Sequence, residues 1–205
     1  ALVTDHSHGL GVAGGLSAED LREQRATIDA VNDRLSGTFR VLAGVEVEVR
    51  SDGSLDLPNE VLAELEVVVA AVHSGLGQSR EQITERMLAA IRHPHVDIIA
   101  HPTGRLIGER EAADLDMEAI FRAAADTGTA LEVNANPARL DLKDAHVRRA
   151  VELGVKLVID SDAHGIEGFG DLHFGVATAR RGWATADDVL NTYSVEELLR
   201  WARRR

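Results

Sequence analysis

The 205-residue chain contains no cysteine, so it can form neither a disulfide framework nor a thiolate zinc site. None of its apolar runs approaches the roughly 20 residues that a membrane-spanning helix requires. No basic segment followed by an apolar one opens the sequence in the manner of a signal peptide. These absences exclude disulfide-rich secreted and membrane classes, and they predict a cytoplasmic protein without membrane contacts.

Basic residues are also scarce, because 22 lysines and arginines stand against 34 aspartates and glutamates, for a formal net charge of -12. A broadly acidic surface repels a phosphate backbone, so sequence-independent contacts alone should not hold nucleic acid. Bound divalent cations would reverse the sign of the charge locally, since such an ion is often the largest charge in its site. We therefore expect an acidic protein with a cationic pit.

The sequence does contain a series of short apolar runs that each stop at a histidine or a carboxylate. Runs of this kind, without polar alternation, indicate strands buried on both faces. The runs end at Asp5-His6, Glu46, His73, His101 and the segment 160–164. Helical patterns separate them, which predicts a parallel α/β sheet. Carboxyl ends of parallel strands meet on one rim, and metal-type residues after nearly every strand favour a barrel over an open sheet.

The predicted elements alternate without a linker or a repeat, which favours one domain over residues 1–205. A glycine-rich loop at 9–15 follows the first strand. We predict strands at 41–49, 67–72, 96–100, 130–134 and 155–159. We predict helices at 18–35, with Ser17 as N-cap, and at 58–65, 81–91, 116–125 and 144–153. The rest is a loop containing Gly168 and Gly170, then helical patterns at 187–191 and 195–203.

Six side chains at the predicted strand ends form a candidate metal site. They are His6, Glu46, His73, His101, Asp162 and His164. Glu46 can bridge two cations with its two oxygens, or else form a salt bridge at the rim. Asp162 and His164 can both point inward if the backbone between them is extended. Asp160 is either a partner of a ligand histidine or a solvated loop residue.

The remaining histidines and the arginines have more than one interpretation. His93 and His95 lie at the opposite rim and are expected to be structural, while His146 is expected to be exposed on a helix. His8 and His173 lie in loops near the predicted rim and are candidates for substrate contact. The arginines that suit phosphate oxygens are Arg105, Arg139, Arg180 and Arg181, unless they are surface charges. Asn134 and Asn136 are candidates for orienting a ligand water.

The ordered motifs resemble those of the PHP (polymerase and histidinol phosphatase) domain. They are Thr4-Asp5-His6-Ser7, Ala43-Gly44-Val45-Glu46-Val47, Val72-His73-Ser74, Ala100-His101-Pro102-Thr103 and Asp162-Ala163-His164. More narrowly, the chain is similar along all 205 residues to the carboxy-terminal PHP domain of bacterial family X DNA polymerases. The specific similarities are Val12-Ala13-Gly14-Gly15-Leu16-Ser17, Asp52-Gly53-Ser54-Leu55-Asp56, His101-Pro102-Thr103-Gly104-Arg105, Glu132-Val133-Asn134-Ala135-Asn136, Gly175-Val176-Ala177-Thr178-Ala179 and Val189-Leu190-Asn191-Thr192.

This resemblance implies a distorted seven-stranded βα barrel of the TIM-like kind, with up to three divalent ions of zinc, manganese or iron. It implies that Glu46 bridges two ions, with Asp162 on one and His73 and His101 on the other. His6 and His164 would then share the third ion. The opening ligands of the family would precede Ala1, so we expect an N-terminally truncated PHP domain that lacks the first βα unit.

The implied activity is metal-dependent phosphoester hydrolysis, specifically a 3′–5′ exonuclease acting within a family X polymerase. Its implied partner is DNA, single-stranded or at 3′ ends, and the chain is otherwise expected to be a monomer. The implied catalytic residues are Glu46, Asp162 and His164. The expected substrate contacts are Arg105, Arg139, Asn134 and His8. Two alternatives remain open: a small-molecule phosphatase of the histidinol-phosphate kind, and a non-catalytic module whose metals stabilise an interaction domain.

Overall fold

The computed structural model describes residues 1–9, 14–35, 37 and 39–203. Positions 10–13 of the predicted glycine-rich loop, with the motif residues Val12 and Ala13, lie outside these described residues. None of the described helices is long and apolar enough to cross a membrane.

Six strands form one sheet in which every strand pairs in parallel with the next strand along the chain. The strands are β1 (Leu2–Val3), β2 (Leu42–Glu48), β3 (Val67–Ala71), β4 (Ile98–Ile99), β5 (Ala130–Asn134) and β6 (Leu157–Asp160). The parallel α/β architecture predicted from the apolar runs is therefore confirmed. Strand β5 has the predicted bounds, whereas β4 keeps only two of the five residues predicted for it.

The sheet curls until its two edges approach each other. Strands lie about 4.8 Å apart, so a flat sheet of six would separate its edge strands by roughly 24 Å. His6 follows edge strand β1 and His164 follows edge strand β6, yet their ring centroids are 5.8 Å apart. This curvature makes the sheet an open, TIM-like barrel, as predicted, and brings the ends of all six strands to one rim.

In the part of the chain that the structure describes, seven α-helices connect or flank the strands. They are α1 (Ala18–Leu35), α2 (Asn59–Leu62), α3 (Arg80–Ile91), α4 (Met117–Thr127), α5 (Asp144–Glu152), α6 (Leu172–Arg181) and α7 (Val195–Ala202). Ser17 caps α1 as predicted, because its hydroxyl accepts the Asp20 N–H at 3.3 Å and the Asp20 carboxylate accepts the Ser17 N–H at 2.9 Å. The helical patterns at 187–191 and 195–203 correspond to short 3₁₀ turns, Ala186–Asp188 and Leu190–Thr192, and to α7.

Alternate residues of the strands face two different apolar layers. Val68 and Ala70 of β3 pack with the helices outside the sheet, while Val67, Val69 and Ala71 belong to a second cluster inside the curl. Leu190 and the partly buried Tyr193 and Trp201 complete this inner cluster. Burial on both faces explains why the strands show no polar alternation. In β2 the apolar members of the outer layer are odd-numbered, so Glu46 and Glu48 point to the inside.

The prediction of a loop after the last strand is wrong, because this segment contains a 3₁₀ turn (Ile166–Asp171) and helix α6. Gly175 at the middle of α6 weakened the helical pattern. Its role is close packing: a Cβ there would lie 2.6 Å from Ile159 Cγ2 and 2.8 Å from Ala135 Cβ. Helix α6 thus passes directly against the ends of β5 and β6.

We expect Gly175→Ala to lower the free energy of unfolding by about 1–3 kcal/mol, because the added methyl overpacks this contact. The loss should appear although alanine is favoured over glycine in a helix by about 1 kcal/mol. Gly170→Ala is the matched control, since a Cβ at Gly170 meets nothing within 4 Å. Urea unfolding of both variants checks the prediction, and equal stabilities would contradict it.

Candidate metal centre

The Glu46 carboxylate lies at the centre of three imidazole rings. Its Oε2 is 3.2 Å from His6 Nδ1. Its Oε1 is 3.2 Å from His73 Nε2 and 3.0 Å from His101 Nε2. The carboxylate is almost completely buried, with a relative exposure of 7%. Four of the six predicted metal-site residues are thus within direct contact of one another.

Parallel pairing places these four side chains together. His6 pairs with Glu46 through a parallel bridge beyond β1, and Glu46 pairs with Val69 of the next strand. His73 and His101 follow the ends of β3 and β4. His101 has a φ of 26°, a left-handed conformation that is costly for a residue with a side chain. Its backbone N–H donates to the Glu132 carboxylate, which stabilises this turn.

Glu46 and His73 shift each other's protonation in opposite directions. Burial alone would raise the pKa of Glu46, but hydrogen bonds and charges from His101 and His73 outweigh it and lower the pKa. Burial alone would lower the pKa of His73, but Glu46 and Glu48 outweigh it and raise the pKa to about 9. In the metal-free protein Glu46 is therefore an anion and His73 a cation at neutral pH.

The donor set fits a divalent cation. One ligand atom each from His6, Glu46 and His73 lies within 4.8 Å of the other two, and this group is the only such cluster found among the described residues. His6 Nδ1 is buried and lies 3.2 Å from Glu46 Oε2 without making a hydrogen bond to it. Imidazole nitrogens and carboxylate oxygens are ligands of zinc, and they suit manganese and iron as well. A cation at this position would give His6 Nδ1 a partner that it lacks in the protein alone.

Asp162 and His164 reach the rim by a different geometry from the predicted one. Asp162 has a φ of 48°, so the expected extended backbone between the two residues is wrong. The Asp162 Oδ2 accepts from Asn134 Nδ2 at 3.1 Å and is 3.5 Å from Arg139 Nε. The His164 side chain is 72% exposed, with Nδ1 2.9 Å from the Asp162 carbonyl oxygen. Asp162 therefore lies inside the rim, and His164 lies at its outer edge facing His6.

The residues predicted to contact substrate differ in whether their polar groups already have hydrogen-bond partners within the protein. Arg105 donates from Nε to the Arg139 carbonyl at 2.7 Å and from Nη2 to the Leu140 carbonyl, so it supports the loop that carries Arg139. Arg139 has a buried Nη1 without a partner. His8 is exposed, and its backbone N–H donates to Leu16. Arg139 is the predicted arginine with unused donor capacity next to the cluster.

The other histidines lie outside the cluster. His93 and His95 precede β4, at the opposite end of the sheet, and His93 Nε2 is 3.1 Å from Asn59 Oδ1. His173 is exposed and packs on Phe174 with centroids 3.9 Å apart. His146 corrects a prediction, because it is partly buried and has its ring centroid 6.0 Å from that of Phe121. Its burial, with the nearby positive charges of Lys143 and Arg105, lowers its pKa to about 4.

The remaining candidates are Arg180 and Arg181 on α6 and Asn136 after β5. Each either contacts a neighbouring group or is exposed to solvent. Arg180 is exposed, and Arg181 pairs with Asp144 at 2.8 Å. The Asn136 side chain accepts the Ala138 N–H at 3.0 Å and so shapes the loop after β5.

Three buried or partly buried carboxyl groups around the cluster were missed or left undecided by the sequence. Glu48 Oε2 is 2.6 Å from His73 Nδ1. Glu132 is buried beside Asp160, and burial together with that neighbouring carboxyl raises its pKa well above its usual value. Burial also raises the pKa of Asp160, which is hydrogen-bonded to Glu132 and is not a solvated loop residue. A carboxylate flanked by valine or leucine inside a strand, as at Glu48 and Glu132, was the available signal.

Comparison with known proteins places the chain beside PHP proteins. No protein-family profile matches it. It is 47% identical over 202 residues to the DNA polymerase/3′-5′ exonuclease PolX of Bacillus subtilis, a match that covers 98% of this chain and 35% of that protein. It is 31% identical over 162 residues to a protein named probable phosphatase from Thermoanaerobacter sp. (strain X514), covering 74% of this chain and 64% of that protein. The chain thus spans about a third of the polymerase.

A solved structure shares the fold. The crystal structure of a candidate histidinol phosphatase from Listeria monocytogenes superposes with a TM-score of 0.61 and covers 82% of this chain and 85% of its own, at 14% identity. An identity this low supports the fold alone. Homology along nearly the whole chain, together with this shared barrel, identifies the chain as a PHP domain that resembles the C-terminal region of bacterial DNA polymerase X.

Proposed function

We propose that this PHP domain is a metal-dependent phosphoesterase that removes nucleotides from the 3′ end of DNA. The observation that carries the proposal is one buried carboxylate, Glu46, in contact with three imidazole rings at the carboxyl ends of parallel strands. The relative named as a polymerase and 3′-5′ exonuclease supports the choice of DNA as substrate. The assignment of that longer protein's exonuclease activity to this chain is part of our proposal.

The residues that would hold cations are those already in contact. His6, Glu46 and His73 offer three ligand atoms within 4.8 Å of one another, and His101 touches the same carboxylate. We propose zinc, manganese or iron, with up to three ions at this site. A bound divalent cation would polarise the phosphoester and lower the pKa of a coordinated water toward 7.

The protein's own groups set the geometry of this chemistry. The two oxygens of Glu46 face opposite sides, one toward His6 and the other toward His73 and His101, as a bridging carboxylate requires. Asn134 holds the Asp162 carboxylate in the rim. We propose Glu46, Asp162 and His164 as the catalytic group because they surround the same opening.

Arg139 is the residue best placed to bind a phosphate oxygen. Its Nη1 has no partner, its Nε is 3.5 Å from Asp162 Oδ2, and its side chain is only 18% exposed. A fixed guanidinium with a free N–H gives a strong charge-assisted hydrogen bond to phosphate. Arg105 holds the backbone of this loop, so we propose that it acts on substrate through Arg139. His8 and Asn134 remain proposed contacts at the same rim.

A small-molecule phosphatase is the second candidate function. The observation that favours it is the relative named probable phosphatase, which matches 74% of the chain at 31% identity. The net charge of -12 also opposes contact with a long polyanion outside the cation site. The higher identity to the polymerase favours DNA.

Glu46→Gln and His101→Ala should each reduce manganese-supported release of nucleotides from a 3′-labelled single strand by about 100-fold or more, because the preorganised charge at the reacting phosphate is lost. His95→Ala, at the opposite end of the sheet, is the matched control and should keep wild-type activity. Undiminished release by Glu46→Gln would eliminate the proposed function. A non-catalytic domain would bind metal and release no nucleotide in any variant.

The choice of substrate is tested by comparing initial rates on a single-stranded oligonucleotide and on histidinol phosphate at equal metal concentration. We expect turnover of the oligonucleotide, and Arg139→Ala should raise its KM because a phosphate contact is lost. Arg148→Ala, an exposed arginine on α5 paired with Glu152, is the control. Turnover of histidinol phosphate alone would favour the small-molecule phosphatase.

The raised pKa of His73 predicts a pH-dependent stability in the metal-free protein. The folded protein holds this proton more tightly than the unfolded chain, so the stabilisation is complete below pH 6.5 and is lost as the pH rises through about 9. A difference of one pH unit between the folded and unfolded pKa corresponds to about 1.4 kcal/mol. The free energy of unfolding should therefore fall by up to about 3 kcal/mol. Urea unfolding with chelator at pH 6 and pH 9.5 measures it.

His73→Ala is the control for this pH dependence and should flatten the difference. Metal affinity should change in the opposite direction, rising over the same pH range as the competing proton is removed. An equal pH dependence in the variant would assign the effect to other groups.

A further inference from the structure

Glu48 lies two residues after Glu46 on the same inner face of β2, and it makes two contacts with His73 and one with the adjacent Ser74. Its Oε2 is 2.6 Å from His73 Nδ1. The same carboxylate accepts the His73 backbone N–H at 3.3 Å and the Ser74 hydroxyl at 3.1 Å. The side chain is buried, with 6% exposure. Glu48 thus fixes both the ring and the backbone of a residue in the metal cluster.

The other ring nitrogen of His73 faces the cluster. Its Nε2 is 3.2 Å from Glu46 Oε1, and His73 is one of the three residues whose ligand atoms converge. A neutral imidazole carries its proton on one nitrogen and its lone pair on the other. When Nδ1–H donates to Glu48, the lone pair of Nε2 points toward the cation position.

We infer that Glu48 is a positioning residue for metal binding, which fixes the orientation and the tautomer of His73 so that Nε2 is available as a ligand. This inference rests on the metal site of the proposed function but not on its substrate or its hydrolytic step. Carboxylates that orient a ligand histidine typically change metal affinity by 10–100-fold when they are removed.

Arg86 keeps Glu48 in this role. Its guanidinium is almost fully buried, and Nη2 lies 3.6 Å from Glu48 Oε1. Arg86 also donates from Nη1 to the Ser74 carbonyl at 2.8 Å and to Gln78 Oε1 at 3.1 Å, and from Nη2 to the Val49 carbonyl. A buried carboxylate with such a partner retains its charge and its place. The arginine connects β2, the loop after β3 and helix α3 behind the ligand.

The chain offers a matched control at the other end of the same two strands. Glu66 precedes β3, its side chain is also 6% exposed, and it pairs with Arg40 at 2.6 Å and accepts the Ala43 N–H at 2.9 Å. Glu66→Ala therefore removes a buried glutamate with an arginine partner without touching the cluster. A purely structural role for Glu48 would make the two alanine variants behave alike.

The experiment measures Zn²⁺ affinity of the chain by competition with a chromophoric chelator, at a temperature where thermal unfolding shows every variant to be folded. We expect Glu48→Ala to weaken binding by 10–100-fold. Glu48→Gln keeps a hydrogen-bond acceptor and should weaken binding less. Glu66→Ala should stay within about threefold of wild type.

A double variant separates positioning from a general electrostatic effect. If Glu48 acts through His73, Glu48→Ala should cause no further loss when His73→Ala is already present. In the zinc-loaded protein, ¹⁵N spectra of the imidazoles should place the proton of His73 on Nδ1 in the wild type and in Glu48→Gln. Glu48→Ala should give a mixture of ring states.

Two results would overturn the inference. One is wild-type Zn²⁺ affinity in Glu48→Ala. The other is an equal loss from that substitution in the presence and in the absence of His73. Failure of the wild-type chain to bind Zn²⁺ would remove the proposed function together with the inference. Tight binding without hydrolysis would leave the role of Glu48 intact and remove only the proposed function.

Discussion

The buried charge of Glu46 is the constraint on which the site depends. A carboxylate with 7% exposure is costly unless positive or polar groups surround it. Here the compensating groups are three imidazoles that come from the ends of three different strands. Two of them, His6 and His73, follow the strands on either side of β2, and His101 follows β4, two strands away. The curl of the sheet then brings His164, after the far edge strand, to within 5.8 Å of His6 between ring centroids. The parallel order of neighbouring strands therefore supplies the partners that allow the charge to be buried, and the curl closes the rim around them.

The carboxyl groups inside this barrel form two neighbouring sets, one with lowered and one with raised pKa values. Glu46 and Glu48 contact imidazoles, and these contacts lower the pKa of each although burial opposes them. Glu132 and Asp160 contact each other in a buried place, so the pKa of each is raised and the pair retains a proton more readily. Glu46 thus faces the proposed cation position as an anion, Glu48 contacts the far side of the His73 ring, and the Glu132–Asp160 pair carries less negative charge. This arrangement limits the number of negative charges that bound cations must neutralise.

The sequence predicted the parts of the fold that depend on local chemistry. Burial on both faces left continuous apolar runs, and each run ended near the true end of a strand, so the rim residues were identified by position. The predictions failed where tertiary contacts override local pattern. The segment with Gly168 and Gly170 was predicted as a loop, yet it leads into helix α6, whose Gly175 permits a close helix crossing. Asp162 adopts a left-handed φ that no spacing rule predicts. Glu48 was missed because its role is visible only once the β2–β3 register places it beside His73.

Under the proposed function, the chemistry and the choice of substrate would depend on different parts of the structure. The cluster around Glu46 is built from strand ends and is fixed by packing, so it can serve any phosphoester. Discrimination between a DNA end and a small phosphate would then depend on the loops above it, where Arg139 has an unused donor. The 3₁₀ turn after His164 belongs to the same region and exposes Ile166 and Phe169. Proteins that share the barrel can therefore differ in substrate without changing the residues that bind metal, because the loops can vary while the strand ends stay fixed.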